Sequence, residues 1–207
     1  MNYLRIRYEM MKVIGITGGI GSGKSLVTKI MEEKYGALVL NTDGIAREQM
    51  DPGGVSYREV VAFFGQGILA EDGTIDRHKL SLIVFEDREK LNKLNAITHP
   101  KVLVEVRKEI DRHRKLADIP YLIIETALMI ESGYDFVCDE VWYVYAPEER
   151  RREWLKISRS YTDEKIDSIF GNQSKEEAFR QKFPKAIENI GNVEFLEQQV
   201  EKLLSKE

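Results

Sequence analysis

Eight residues near the start of the chain carry the clearest chemistry. Gly18-Gly19-Ile20-Gly21-Ser22-Gly23-Lys24-Ser25 fits the spacing G-x-x-x-x-G-K-S at every position. Such a loop is a phosphate cradle. Glycine backbones reach the φ values that turn successive N–H groups inward as an anion nest. A helix opening directly after the loop adds its unpaired N–H donors and about half a unit of positive charge. Lys24 would bring a full positive charge to the β- and γ-phosphates of ATP, and the Ser25 hydroxyl would be placed to ligate Mg²⁺. Gly19, Ile20, Gly21, Ser22, Gly23, Lys24 and Ser25 are therefore the expected nucleotide-binding residues, with Ser25 as the metal ligand. The plain alternative is a glycine-rich strand-to-helix turn carrying an accidental lysine.

A phosphate cradle does not by itself name a reaction. The Asn-Lys-x-Asp base-reading motif of GTPases is absent, as is the Leu-Ser-Gly-Gly-Gln signature of transporter ATPases. What remains is a small kinase, in which an insertion and a lid close over a second substrate to exclude water. An acceptor hydroxyl needs a base or a positioning carboxylate. Asp43, just after the second apolar run, is the best candidate, because ligands of open parallel sheets bind beyond the carboxyl ends of the strands. Position alone leaves it equally readable as the N-cap of a helix expected over Ile45–Gln49. Glu125, ending a later apolar run, is either a water-mediated magnesium ligand or a solvated strand-end carboxylate. The segment Arg150–Arg159 holds four arginines, one lysine and one glutamate. It reads as a solvated helix face or as a lid whose arginines stabilise charge on a transferring phosphoryl group. His78, His99 and His113 share no metal-ligand spacing.

These groups need elements to position them. Lys12–Thr17 is apolar, β-branched and ends in glycines, which predicts a buried strand. Leu26, Val27, Ile30 and Met31 fall on one helical face, and Gly36 stops that helix. Ala37–Leu40 is a second buried strand, so the first 40 residues make a βαβ unit and imply a parallel sheet. Asp51-Pro52-Gly53-Gly54 is a turn. Beyond it the middle reads as helical: Val60–Phe64, then His78–Phe85, Arg88–Ile97, and a further helix opened by Pro100 and running to about Lys115. Tyr121–Ile124 and Val141–Tyr145 are strands three and four. Helices at about Glu148–Ser158, Thr162–Phe170, Lys175–Phe183 and Glu194–Ser205 complete the expectation. The domain reading is an N-terminal extension over 1–11 and one α/β domain over 12–207. Its core is 12–50, 118–150 and 184–207, with a helical insertion at 51–117 and a polar lid at 151–183.

Composition closes off other classes. With 207 residues, 43% hydrophobic and 32% charged, the chain can build a core and is not disordered. One cysteine, Cys138, excludes a disulfide scaffold and a thiolate zinc site. No apolar run approaches the ~20 residues of a membrane span, and the N-terminus lacks a secretory pattern. The expected compartment is reducing and cytoplasmic. A net charge of −4 argues against nucleic-acid binding.

With these residues assembled, the chain resembles the dephospho-CoA kinase family from about Lys12 to Gly191. The resemblance is carried by Ile16–Ser25, by Asp43-Gly44-Ile45-Ala46-Arg47, by Gly73-Thr74-Ile75-Asp76-Arg77 with Leu80 and Phe85, and by Leu94-Asn95 with His99-Pro100. It implies a P-loop kinase with a helical CoA-binding region and a lid. The implied reaction moves the γ-phosphoryl group of ATP to the 3′-hydroxyl of dephospho-CoA with Mg²⁺. The implied site residues are Asp43 as catalytic base, Lys24 and Arg159 on the phosphates, and Arg47, Arg77 and His99 with Asp43 on the acceptor. A nucleoside or nucleotide kinase of similar architecture, or a nucleotide-binding module without catalysis, are the alternatives. The chain departs from the family pattern in three places. Asn41-Thr42-Asp43 stands where Asp-x-Asp is usual. Ala127-Leu128-Met129-Ile130-Glu131 lacks the proline of Pro-Leu-Leu-x-Glu. In the lid only Arg159 and Gln173 align, and Arg180 is the nearest arginine after Gln173.

Overall fold

The computed structural model describes residues 11–171 and 173–205. Apart from Met11, which is buried, the expected N-terminal extension lies outside the described residues. The chain divides into two compact units. One holds the segment up to Leu40 and everything from Ile110 on; the other is Asn41–Glu109.

The first unit is a sheet of five strands in the order β2-β3-β1-β4-β5. They are β1 (Lys12–Thr17), β2 (Leu38–Asn41), β3 (Tyr121–Glu125), β4 (Glu140–Tyr145) and β5 (Lys185–Glu188). β1 runs parallel to both β3 and β4, and β4 parallel to β5. A central parallel strand is covered on both faces, which is why Val13 to Thr17 are all buried and read as one continuous apolar run. The expected βαβ unit forms, but β1 and β2 are not neighbours, because β3 inserts between them. Ile14, Ile16, Ile123, Trp142 and Ile187 on one face of the sheet pack with Val27 and Met31 of α1 (Lys24–Tyr35) and with Leu196 and Val200 of a C-terminal helix. On the other side of β1, Gly15 lies so close to Met129 that a Cβ there would be 2.6 Å from its Cε.

The helical unit has its own core of Val60, Ile68, Ile75, Leu80 and Ile97. Its elements are α2 (Thr42–Gln49), α3 (Tyr57–Phe64), α4 (Arg77–Glu86) and α5 (Arg88–Leu116) as far as Glu109. The Tyr57 hydroxyl donates to the Gly73 carbonyl at 2.5 Å and fixes the turn before α4. Two expectations need correcting here. α2 begins at Thr42, before the segment expected to be helical. The two helices expected around Pro100 are a single 29-residue helix with the proline inside it. Proline removes one N–H donor, but Ile97, Thr98, Val102 and Val106 on either side are all buried, and continuous burial keeps the helix whole.

After β3 the first unit continues through α6 (Met129–Ser132), α7 (Glu148–Arg159), α8 (Asp163–Gly171), α9 (Glu176–Lys182) and α10 (Val193–Leu204). β5, between α9 and α10, has no counterpart in the sequence reading. Four residues with one fully buried side chain give too short an alternation to mark a strand.

Candidate active site

The glycine-rich segment leaves the carboxyl end of β1 and opens α1, as its spacing requires. Gly18, Gly21 and Gly23 have φ of 151°, 76° and 93°. At Gly18 a Cβ would also run into the Val144 carbonyl oxygen, and at Gly23 into the side-chain amide of Asn189. Two constraints, dihedral and steric, thus hold these positions to glycine. Asn189, just beyond β5, ties the loop down: its backbone N–H donates to the Tyr145 carbonyl at 2.7 Å and its Nδ2 to the Ser22 carbonyl at 2.9 Å. It is a supporting residue that the sequence reading missed, because the strand that delivers it was missed.

Lys24 Nζ donates to the carbonyls of Gly18 at 2.8 Å and Gly19 at 3.2 Å, so the ammonium lies over the loop. Ser25 is exposed on the first turn of α1. Around the loop, the hydroxyl oxygens of Thr17 and Ser22 are buried with no hydrogen-bond partner. Buried polar groups are nearly always satisfied, so orphans gathered at one loop mark a place where a polar ligand or water belongs. The register Ile16↔Glu125 sets Glu125 at the same sheet end as the loop. The hydroxyl of Ser25 and the carboxylate of Glu125 are hard oxygen donors, the kind Mg²⁺ takes.

Above the loop lies α7. Leu155 and Arg151 pack against Gly21, and Arg151 Nη1 occupies the space a side chain on Gly19 would need. The Ile20 N–H donates to Gln173 Oε1 at 3.0 Å. Arg159, the lid arginine expected to reach the phosphates, is exposed at the end of α7 with its guanidinium 6.0 Å from the Tyr161 ring. The structure brings Arg151 and Gln173 to the loop, and places Arg159 two turns farther along the helix. Burial pushes the Cys138 thiol up to about 12, so it offers no nucleophile at neutral pH.

In the helical unit, Asp43 lies in the first turn of α2, exposed. It is not the cap of that helix. Asn41 is: its side-chain oxygen accepts from the Gly44 N–H at 2.7 Å. The residue that departs from the family pattern therefore does the structural job and leaves the Asp43 carboxylate without one. Arg47 follows one turn later, also exposed. Arg77 opens α4 and pairs with Asp51 at 3.2 Å, both half-exposed. His99 sits inside α5, directly before Pro100.

A parallel sheet with a glycine-built anion nest at the carboxyl end of its central strand is the architecture of the P-loop kinase fold. A solved shikimate kinase from Acinetobacter baumannii shares that fold, with a TM-score of 0.60 and 15% identity over 97% of both chains. The family model for dephospho-CoA kinase matches residues 12–194. A dephospho-CoA kinase from Carboxydothermus hydrogenoformans is 39% identical over 198 residues, 95% of each chain. A crystal structure of the Thermus thermophilus protein TT1252 superposes with a TM-score of 0.79 at 29% identity, covering 95% of this chain and 98% of that one. The chain belongs to the dephospho-CoA kinase family, and it is an ATP-dependent kinase. Among the described residues, no helix is long and apolar enough to cross a membrane.

Proposed function

We propose that this protein transfers the γ-phosphoryl group of ATP to the 3′-hydroxyl of dephospho-CoA, giving coenzyme A and ADP. The observation that carries the reading is the loop after β1, with glycines at positive φ and the orphaned Thr17 and Ser22 hydroxyls around it. Membership of the family supplies the acceptor. The loop amides and Lys24 hold the triphosphate and neutralise its charge. Asp43 accepts the proton of the 3′-hydroxyl. The freed oxygen forms a bond to the γ-phosphorus, the bond from that phosphorus to the β,γ-bridging oxygen breaks, and ADP leaves with the electron pair. Arg47, Arg77 and His99 hold the acceptor. Arg159 closes on the phosphates and draws charge from the transferring group. Mg²⁺, held by Ser25 and through water by Glu125, would neutralise the β- and γ-oxygens when bound. The setting is cytoplasmic, with no nucleic-acid partner.

ADP release measured with dephospho-CoA, adenosine and AMP as separate acceptors tests this. Turnover with dephospho-CoA alone is expected. Turnover of adenosine or AMP with none of dephospho-CoA would replace the acceptor. ATP binding without transfer to any of them would make the chain a nucleotide-binding module.

A further inference from the structure

The charge of the lid is not evenly available. Arg152 faces three carboxylates, Glu148 at 3.3 Å, Asp163 at 3.0 Å and Asp167 at 2.5 Å. Arg180 is held between Glu176 at 2.6 Å and Glu188 at 3.0 Å. Arg150 lies 5.7 Å from the Trp154 ring. Arg151 differs from all of these. Among the described residues it forms no ion pair, and its Nε is buried without a hydrogen-bond partner. Its guanidinium carbon lies over the Phe170 ring, 4.2 Å from the centroid, and its Nη1 reaches over Gly19 of the phosphate loop. Burial pushes its pKa down from the ordinary value, against the pull of Tyr143, Glu148 and Glu176. An arginine keeps its charge under such a push. A half-buried cation with an unsatisfied donor, laid on an anion nest, lacks a counter-ion that a nucleotide phosphate would supply.

We propose that Arg151 is the lid cation that meets the phosphate tail of ATP, and that the Gln173 amide oxygen holds the place of a phosphate oxygen on the Ile20 N–H until the nucleotide arrives. The contact with Phe170 holds the guanidinium in place, so less rotamer freedom remains to be lost when phosphate binds. The three carboxylates around Arg152 perform the complementary task. Together they neutralise the neighbouring arginine, and Asp163 and Asp167 pin α8 to α7, leaving Arg151 as the arginine of α7 directed at the loop. A carbonyl oxygen and a phosphate oxygen accept from the same N–H, so ATP and Gln173 compete for Ile20.

The inference rests on the kinase reading above, and ATP affinity is therefore measured without acceptor, apart from turnover. Arg151→Gln is expected to weaken ATP binding at least tenfold and to lower kcat about 10²-fold, the low end for loss of one donor to transition-state charge. Arg151→Lys is expected to recover part of the binding and less of kcat, because a point charge cannot reproduce the guanidinium fork. Gln173→Ala is expected to tighten ATP binding severalfold. Arg150→Ala serves as the control for charge alone. An Arg151→Gln protein within threefold of the parent in both ATP affinity and kcat overturns the assignment of Arg151. Weakened ATP binding in Gln173→Ala overturns the placeholder. Should Arg151→Gln fail to fold, phenylglyoxal labelling of the unaltered protein decides. ATP is expected to slow labelling at Arg151 severalfold relative to Arg150, and equal rates at both with and without ATP overturn the proposal. Loss of ATP binding in Arg151→Gln, from a parent inert toward dephospho-CoA, would keep the arginine and remove the acceptor.

Discussion

The two units of the chain build their functional groups in opposite ways. In the α/β unit the donors are mostly backbone N–H groups, set by glycine dihedrals and backed by a buried asparagine and a packed helix. In the helical unit the candidates are side chains open to solvent, Asp43 and Arg77 on the first turns of their helices and Arg47 on the last turn of α2. The first arrangement is organised before any ligand arrives, because each part is fixed by covalent geometry or burial. The second is organised by capping and by surface pairs, which are individually weak. Phosphate binding and acceptor chemistry should therefore separate cleanly under mutation.

The largest effect is expected in the first unit. Lys24→Ala removes the ammonium that lies over Gly18 and Gly19, and both ATP affinity and turnover should fall, with kcat/KM lower by about 10³-fold. Asp43→Asn should leave ATP affinity where it was and lower kcat about 100-fold, the low end for a general base. Equilibrium binding and ADP release on the same preparations measure the contrast. Equal losses of ATP affinity in both variants would mean that the two units do not divide the work in this way.

The sequence made one side of this comparison far more legible than the other. The loop could be read because its function is written in residue type: only glycine tolerates the φ of Gly18 and Gly23, so spacing alone reveals the turn. The central strands could be read because burial on both faces leaves an unbroken apolar run. Asp43 could be placed but not interpreted. Whether it capped α2 depended on where that helix began, and the cap turned out to be Asn41, two residues earlier. The choice among the lid arginines was out of reach for a different reason. Arg152 is neutralised by Asp163 and Asp167, eleven and fifteen residues away, and a charge run shows nothing of partners on the next helix. Pro100 misled because the local rule for proline at a helix start was overridden by burial on both sides.

A smaller effect sharpens the steric half of the comparison. Gly23→Ala places a Cβ at φ 93° and against the Asn189 amide. A strained dihedral of this sort costs about 1–3 kcal/mol, before any clash. For a chain of 207 residues the melting temperature should fall by about 2–4 °C per kcal/mol, measured by calorimetry. Gly23→Ala with Asn189→Ala removes the overlap but not the dihedral strain. Calorimetry of the pair therefore reports how much of the loop's rigidity is backbone and how much is packing.

The smallest effect belongs to the helical unit and concerns acid. Asp76 caps α4 by accepting from the His78 and Lys79 N–H groups at 3.0 and 3.1 Å, and the backbone bond to Lys79 is the main cause of its lowered pKa. Asp87 does the same for α5 through the Glu89 and Lys90 N–H groups, with the Lys90 bond the main cause. A carboxylate whose pKa is lower folded than unfolded contributes stability above its unfolded value and loses it as pH falls through the folded one. Both caps are therefore intact at neutral pH and fail progressively below about pH 4, the ordinary aspartate range. The Asn41 cap of α2 cannot titrate. Amide exchange, corrected for its intrinsic pH dependence, should accordingly show the first turns of α4 and α5 opening on acidification while Gly44 in α2 holds its protection longer. Asp76→Asn, which keeps an acceptor but cannot be protonated, should remove the acid step in α4 and leave that in α5. Simultaneous loss of protection at all three helix starts would assign the acid response to the unit as a whole rather than to its caps.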